Sequence, residues 1–289
     1  MKKIVVTGCS GFIGSHLTEK LVNDDYYVLG IDNFSTGKKE FMKNFIKKKN
    51  FKFFKIDLFK SNINKYFKNC NSVFHLAANA DVKNGFLHPD KDLKQNTIVT
   101  FKVLEAMRKN NVKNIFFSST GSIYGEPNQF PTKEIAKFPI QTSLYGSSKL
   151  ACEGMIQAYS KGYDINSFIF RFVSIFGPRY THGHLYDFYK QLKKNPHKLK
   201  VLGNGYQTKS YLNVSDCVSA IINIFKKKKS GIHIYNLGLN KTITVRKSIS
   251  ILTNILKINP KVQFGNSKRG WIGDSPKIIL DIKKMKEMG

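Results

Sequence analysis

KIVVTGCSGFIG, residues 3–14, is the stretch that decides the fold. A short β-branched run, Ile4 to Val6, ends in glycines at positions 8, 11 and 14, and a segment of helical period follows over 12–23. A dinucleotide pyrophosphate needs such a strand, turn and helix. Gly8 can take the tight turn, Gly11 lets the backbone approach the phosphates, and Gly14 lets the helix pack closely on the sheet. Phe12, Ile13 and Gly14 then bring the helix N-terminus to the anion. Glycines in this pattern also describe a chance turn, so the next strand matters. YYVLGID ends in Asp32, 18 residues after Gly14. A carboxylate there accepts hydrogen bonds from the adenosine ribose hydroxyls and repels a 2′-phosphate, which favours NAD over NADP. Lys38 and Lys39 nearby leave NADP open.

Working outward, Asn33 follows Asp32 at the same strand tip, and FKFFKID ends in Asp57, placed with Leu58 to face an adenine. The strand ending His75-Leu76-Ala77-Ala78 finishes in small residues, against which a flat cofactor can lie. His75 has no second ligand at suitable spacing, so no metal site is expected. Apolar β-branched runs alternate with helical segments as far as NIFFSST, the rhythm of βαβ units. The expected fold is α/β, a doubly wound, Rossmann-like parallel sheet with a smaller C-terminal lobe. Residues 1–177 form the dinucleotide domain, with 205–239 returning to it; 178–204 and 240–289 form the lobe. Helices are expected over 91–110 and 145–161, and another opens at Ser215 or Asp216.

At 289 residues the chain suits one α/β core with a small lobe. No apolar run approaches the 18 or more residues of a spanning helix, so no membrane association is expected. MKKIVV mimics the start of a signal peptide but is cut off by the glycine turn, and a cytoplasmic setting is expected. Cys9, Cys70, Cys152 and Cys217 have no paired spacing. The formal charge of +29 points toward a polyanion, yet the lysines are scattered among many Asn, Ile and Phe residues. That reads as a solvated surface, with nucleic acid the less favoured partner.

Tyr145 and Lys149 are four apart in SLYGSSKLACEGMIQAY, a segment of helical period, and project from one face. Moving a hydride to or from an alcohol carbon requires a partner for the hydroxyl proton. A phenol is too weak a base at neutral pH unless cations stabilise its anion, and a neighbouring ammonium with a positive nicotinamide ring lowers its pKa. A Tyr and a Lys at this spacing are common by chance. NIFFSST adds a strand ending in Ser118, Ser119 and Thr120, whose hydroxyls can bind a reacting oxygen.

Taken together, TGCSGFIG, Asp32, Asp57, HLAA, SSTGSIYG, YGSSK and RFVSIFGPR resemble, in order and spacing, the extended short-chain dehydrogenase/reductase family. Within it the likeness is to the NAD-dependent epimerase/dehydratase branch typified by UDP-glucose 4-epimerase. It covers nearly the whole chain. The resemblance implies Thr120, Tyr145 and Lys149 as catalytic residues, Asn96 and Ser118 beside tightly bound NAD, a nucleotide-diphosphate sugar between the lobes, and a homodimer through 91–110 and 145–161. Related dehydratases usually carry Asp-Glu just after the Ser/Thr, and decarboxylases commonly keep the Glu; here those positions are Gly121 and Ser122. What this implies is 4-epimerisation through a transient 4-keto sugar. A dehydratase or reductase of the same family is the alternative, and a non-catalytic NAD-dependent sensor or RNA-binding relative is more remote.

Some positions depart from the pattern. Ser174 stands where many relatives have Asn, Lys209 where they have Arg, and Ala80 where some have Lys. Lys209 keeps the charge but loses the bidentate fork. Arg179, His184 and Arg269 are further candidate substrate contacts, along with Ser174, Lys209 and Thr120. The chain stops soon after DIKKMKEMG, from which a lobe without its last helix is expected.

Overall fold

The computed structural model describes residues 2–79, 82, 85–137 and 140–289. Seven parallel strands form the main sheet: β1 (Lys3–Thr7), β2 (Tyr27–Asp32), β3 (Phe51–Lys55), β4 (Ser72–His75), β5 (Asn114–Thr120), β6 (Asn166–Phe172) and β11 (Ile232–Leu237). Their order, β11-β6-β5-β4-β1-β2-β3, reverses direction between β1 and β4. At such a switch point the loops leaving neighbouring strands part to opposite faces and open a crevice at the carboxyl ends.

Two-residue periodicity explains the layers. Ile4 and Val6 of β1, Phe74 of β4 and Phe116 of β5 face one side, against Leu17 and Leu21 of α1 (Phe12–Asn23) and Ile221 and Phe225 of α7 (Val214–Lys226). Val5, Val73 and Phe117 face the other, against α4 (Val99–Lys109) and α5 (Leu144–Tyr163). Buried on both faces, these strands read as continuous apolar runs. Short helices α2 (Asn64–Phe67) and α3 (Pro89–Asp92) also belong to this body.

A second apolar cluster belongs to the lobe. There β8 (Lys198–Val201) pairs with β13 (Lys261–Phe264), and α6 (His184–Lys194) and α8 (Val245–Leu256) close over Phe188, Leu192, Leu199, Val201, Val245 and Ile249. Short pairs join the two bodies: β7 (Ser174–Phe176) with β10 (Tyr211–Asn213), and β9 (Thr208–Lys209) with β12 (Ile243–Thr244).

Three expectations are corrected. The helix expected over 91–110 is interrupted by a π-turn, Leu93–Ile98, between α3 and α4. The helix after β10 is capped by Asn213, whose Oδ1 accepts from Ser215 N at 2.9 Å, rather than by Ser215 or Asp216. The tail does not stay with the lobe. Thr132 N donates to Ile279 O at 2.8 Å, Lys284 Nζ of α9 (Lys283–Lys286) donates to Ile234 O, and Met285 joins the core under β11. Apolar Leu280, Ile282 and Met285, all buried, carry the chain back. Among the described residues, no helix is long and apolar enough to cross a membrane.

Removing the Asn213 cap with Asn213→Ala should lower stability by about 1 kcal/mol, read as a lower denaturation midpoint with an unchanged slope.

Candidate active site

At the carboxyl end of β1, Gly8 turns with φ +74°, and a Cβ there would lie 2.8 Å from Ala77 N. Gly14 sits so close beneath this turn that a Cβ would fall 1.9 Å from Gly8 O. Gly11 precedes α1 with no side-chain cap, leaving the first-turn N–H groups of Phe12, Ile13 and Gly14 for an anion. Leu76, Ala77 and Ala78 form the facing wall, and Ala77 N is fixed by Thr7 Oγ1 at 3.2 Å. His75 is fully enclosed between the hydroxyls of Thr7 and Thr100, at 2.7 and 3.1 Å, and burial drives its pKa down to about 3. It is a neutral structural ring. Among the described residues no group of three or more His, Cys, Asp or Glu side chains could hold a metal.

Asp32 ends β2 with both carboxylate oxygens committed to the turn: Oδ2 accepts from Ser10 N at 3.0 Å and Oδ1 from Phe34 N at 2.8 Å. Each oxygen keeps a lone pair for a hydroxyl donor. Asn33 Nδ2 donates to Asp57 Oδ2, so the tips of β2 and β3 share one network, and Asp57 Oδ1 caps the turn past buried Leu58. Sequence reasoning missed Gly37, whose loop folds over Ser10 so tightly that a Cβ would meet its hydroxyl. These carboxylates, glycines and bare helix start fit the dinucleotide. The flat wall of small residues fits its ring.

Across the crevice, β5 ends in the three hydroxyl residues. Thr120 Oγ1 accepts from Ser122 N at 3.1 Å and donates to Ser122 Oγ at 3.2 Å, and the Thr120 hydroxyl stands near enough to the Tyr145 phenol to favour its anion. Ser118 points back to His75 O, and Ser119 bonds Glu153. Tyr145 as a residue is part-buried, with its phenol enclosed. Burial raises the phenol's pKa, the Thr120 hydrogen bond pulls it down, and Asp92 and Cys152 push it up. Among the chain's own groups it is Thr120, not Lys149, that favours the phenolate, and burial outweighs it. Lys149 is 2% exposed; its Nζ donates to Ser118 O at 2.8 Å and lies 4.5 Å from the Phe117 ring centroid. Burial brings its pKa down to about 8. Asn96, on the π-turn, reaches Ser148 Oγ at 2.9 Å.

The other sugar-side candidates divide. Lys209 Nζ pairs with Asp274 Oδ1 at 2.8 Å, and Arg269 bonds Asp274 O and Glu126. His184 bonds the Tyr211 hydroxyl, and burial, with the Lys209 ammonium adding, lowers its pKa to about 4. Ser174 lies beside Tyr211 on the paired strand. Arg179 is not brought to this group: it pairs with Glu19 of α1, and the adjacent Pro178 O bonds His16. Asp274 and Tyr211 were missed, although KRGWIGD contained the first of them. Ala80 lies outside the described residues.

Residues 4–238 match the profile of the NAD dependent epimerase/dehydratase family. The chain is 32% identical to a Methanocaldococcus jannaschii protein provisionally named UDP-glucose 4-epimerase, over 99% of this chain and 92% of that one. A solved UDP-galactose 4-epimerase is 32% identical with a TM-score of 0.88, covering 99% and 91% of the two chains. The UDP-glucuronic acid 4-epimerase of Bacillus cereus, solved with UDP-glucuronic acid and NAD, is 28% identical with a TM-score of 0.91, over 99% and 92%.

Lys149 has a folded-state pKa below its unfolded value of 10.5. Below pH 8 both states hold the proton and the burial cost is fully present. Between about 8 and 10.5 the unfolded state binds more protons, so stability rises with pH. Lys149→Met should abolish that rise, on the order of 3 kcal/mol, and be at least as stable at pH 7, as thermal unfolding across pH will show.

Proposed function

Because the chain belongs to the NAD-dependent epimerase/dehydratase family, we propose that it is a nucleotide-sugar 4-epimerase whose proton transfers run through Tyr145. The observation that carries this is the gathering of three groups at the end of β5: the Thr120 hydroxyl acts on the Tyr145 phenol, and Lys149, one helical turn on, is fixed to Ser118 O two residues before Thr120. Bound NAD supplies reversible two-electron oxidation of the sugar C4 alcohol. Thr120 holds the C4 oxygen. Tyr145 takes its proton and, after the 4-keto sugar has turned, returns one to the oxygen of the opposite epimer. Lys149 stabilises the phenolate that takes the proton and that is regenerated when the proton is returned. The Gly8–Gly14 turn, Asp32, Asn33, Asp57 and Leu58 hold the dinucleotide, with the wall 76–78, Asn96 and Ser118 at its reactive end.

What limits the chemistry to isomerisation is the residue after Thr120. A Cβ on Gly121 would lie 3.2 Å from Ile278 Cγ2 and 3.3 Å from Phe172 O, which disfavours the acid that elimination needs. Ser122 is engaged with Thr120. Lys209, His184 and Arg269, gathered by Asp274 and Tyr211, form the wall that meets the nucleotide diphosphate; Ser174 adjoins it. The nucleotide is a uridine diphosphate, as in the relatives' names. A cytoplasmic setting is supported by four free, buried cysteines. Exposed Phe101 on α4 and Tyr163 on α5 support a homodimer.

Incubated without added cofactor with UDP-glucose, UDP-galactose, their N-acetyl forms and UDP-glucuronic acid, the protein should convert at least one to an isomer of equal mass. Tyr145→Phe should cut turnover by about 10²- to 10⁴-fold. A product lighter by one water would make it a dehydratase. In solution the mass by sedimentation should be twice the chain's 33.0 kDa.

A further inference from the structure

Beneath Tyr145 lies a carboxylate that takes no part in the proton transfer. His88-Pro89-Asp90-Lys91-Asp92 starts a helix with proline at its first turn, and after four residues that helix widens into the π-turn Leu93–Ile98. Such turns place side chains that a regular helix would turn aside. Asp92 is 1% exposed. Its Oδ1 accepts from Asn79 Nδ2 at 2.8 Å and from Asn96 Nδ2 at 3.2 Å. Asn96 in turn accepts from Asn79 N at 2.7 Å and donates to Ser148 Oγ, which donates to Tyr145 O at 2.8 Å. Asp92 is therefore joined to the first turn of α5 through one carboxamide and one hydroxyl. A buried carboxylate costs several kcal/mol to desolvate, a cost that packing alone does not require.

Its charge also reaches both proton-handling groups. Around Tyr145 stand Thr120 from β5, Cys152 from α5 and Asp92 from α3; around Lys149 stand Cys152 and Glu153 from α5, Asp92, and the neutral His75 of β4. Burial acts oppositely on the two, raising the phenol and lowering the ammonium. The Asp92 charge raises both.

We propose that Asp92 is a positioning residue for the reaction: its carboxylate locks the Asn79 and Asn96 carboxamides under the Tyr145–Ser148 turn and sets the field in which Tyr145 and Lys149 work. The kinetic side of this rests on the epimerase reading; the electrostatic side does not.

Asp92→Asn keeps the shape and an acceptor oxygen but removes the charge. Thermal unfolding should stay near that of the parent chain. The whole pH profile of kcat should move to lower pH by about half a unit or more, since both pKa values fall together. Asp92→Ala, which also frees the carboxamides, should lower kcat by about 10- to 100-fold with little change in KM. Independently of turnover, the Nζ resonance of Lys149, identified by its loss in Lys149→Met, should titrate at lower pH in Asp92→Asn. A profile that drops in height without moving, or an unshifted Lys149 midpoint, overturns the proposal. If the parent chain turns over no nucleotide sugar, the epimerase reading fails, and the Lys149 midpoint alone decides the role of Asp92.

Discussion

An ammonium buried where water does not reach is the constraint around which this molecule is arranged. Lys149 reaches the end of β5 only because α5 lies close along the sheet, with small Ser148 and Cys152 beside it, both buried. The carbonyl of Ser118 and the face of Phe117 then replace part of the lost hydration. That packing also decides where Tyr145 stands, because the two side chains share a helix face. The strand that supplies the carbonyl supplies Thr120 two residues later. One close approach of helix and strand therefore positions all three groups, and its energetic cost is carried by the apolar layers on both faces of the sheet.

A second buried charge system lies behind the first. Glu153, one turn beyond Lys149, pairs with Arg171 of β6 at 2.7 Å and holds Ser119. Arg171 bonds the Tyr124 hydroxyl and Glu134 O, and Tyr124 bonds Asn236, whose amide ties Thr132 O to Asp281 O. Breaking one member leaves the others unpaired at a cost of about 3–5 kcal/mol. This chain of contacts runs from the catalytic strand to the loop before α5 and to the tail. It explains why residues near 280 belong to the main body rather than to the lobe.

The parts of the fold that could be read from residues alone were those governed by local rules. Gly8 to Gly14, the carboxylates at the tips of β2 and β3, and the hydroxyl run ending β5 each sit where a strand ends, and strand periodicity is a short-range signal. The four-residue spacing of Tyr145 and Lys149 is likewise local. What escaped depends on pairing across the chain. Lys209 finds Asp274, 65 residues on, and Arg179 finds Glu19, 160 residues back. Nothing in either segment announces its partner. The π-turn in 93–98 also left no trace in the helical period, since widening by one residue preserves an amphipathic look. Asp92 went unnoticed for that reason.

Gly121 places a restriction on what this scaffold can become by single substitutions. A side chain there would meet the tip of Ile278, which the return of the tail brings near, and the carbonyl of Phe172 at the end of a strand, and each would have to give by a few tenths of an ångström. Divergence toward water elimination from this starting point is therefore eased by a smaller side chain at position 278, in the tail. The space beside the residue after Thr120 is thus set in part by a segment about 150 positions further along the chain.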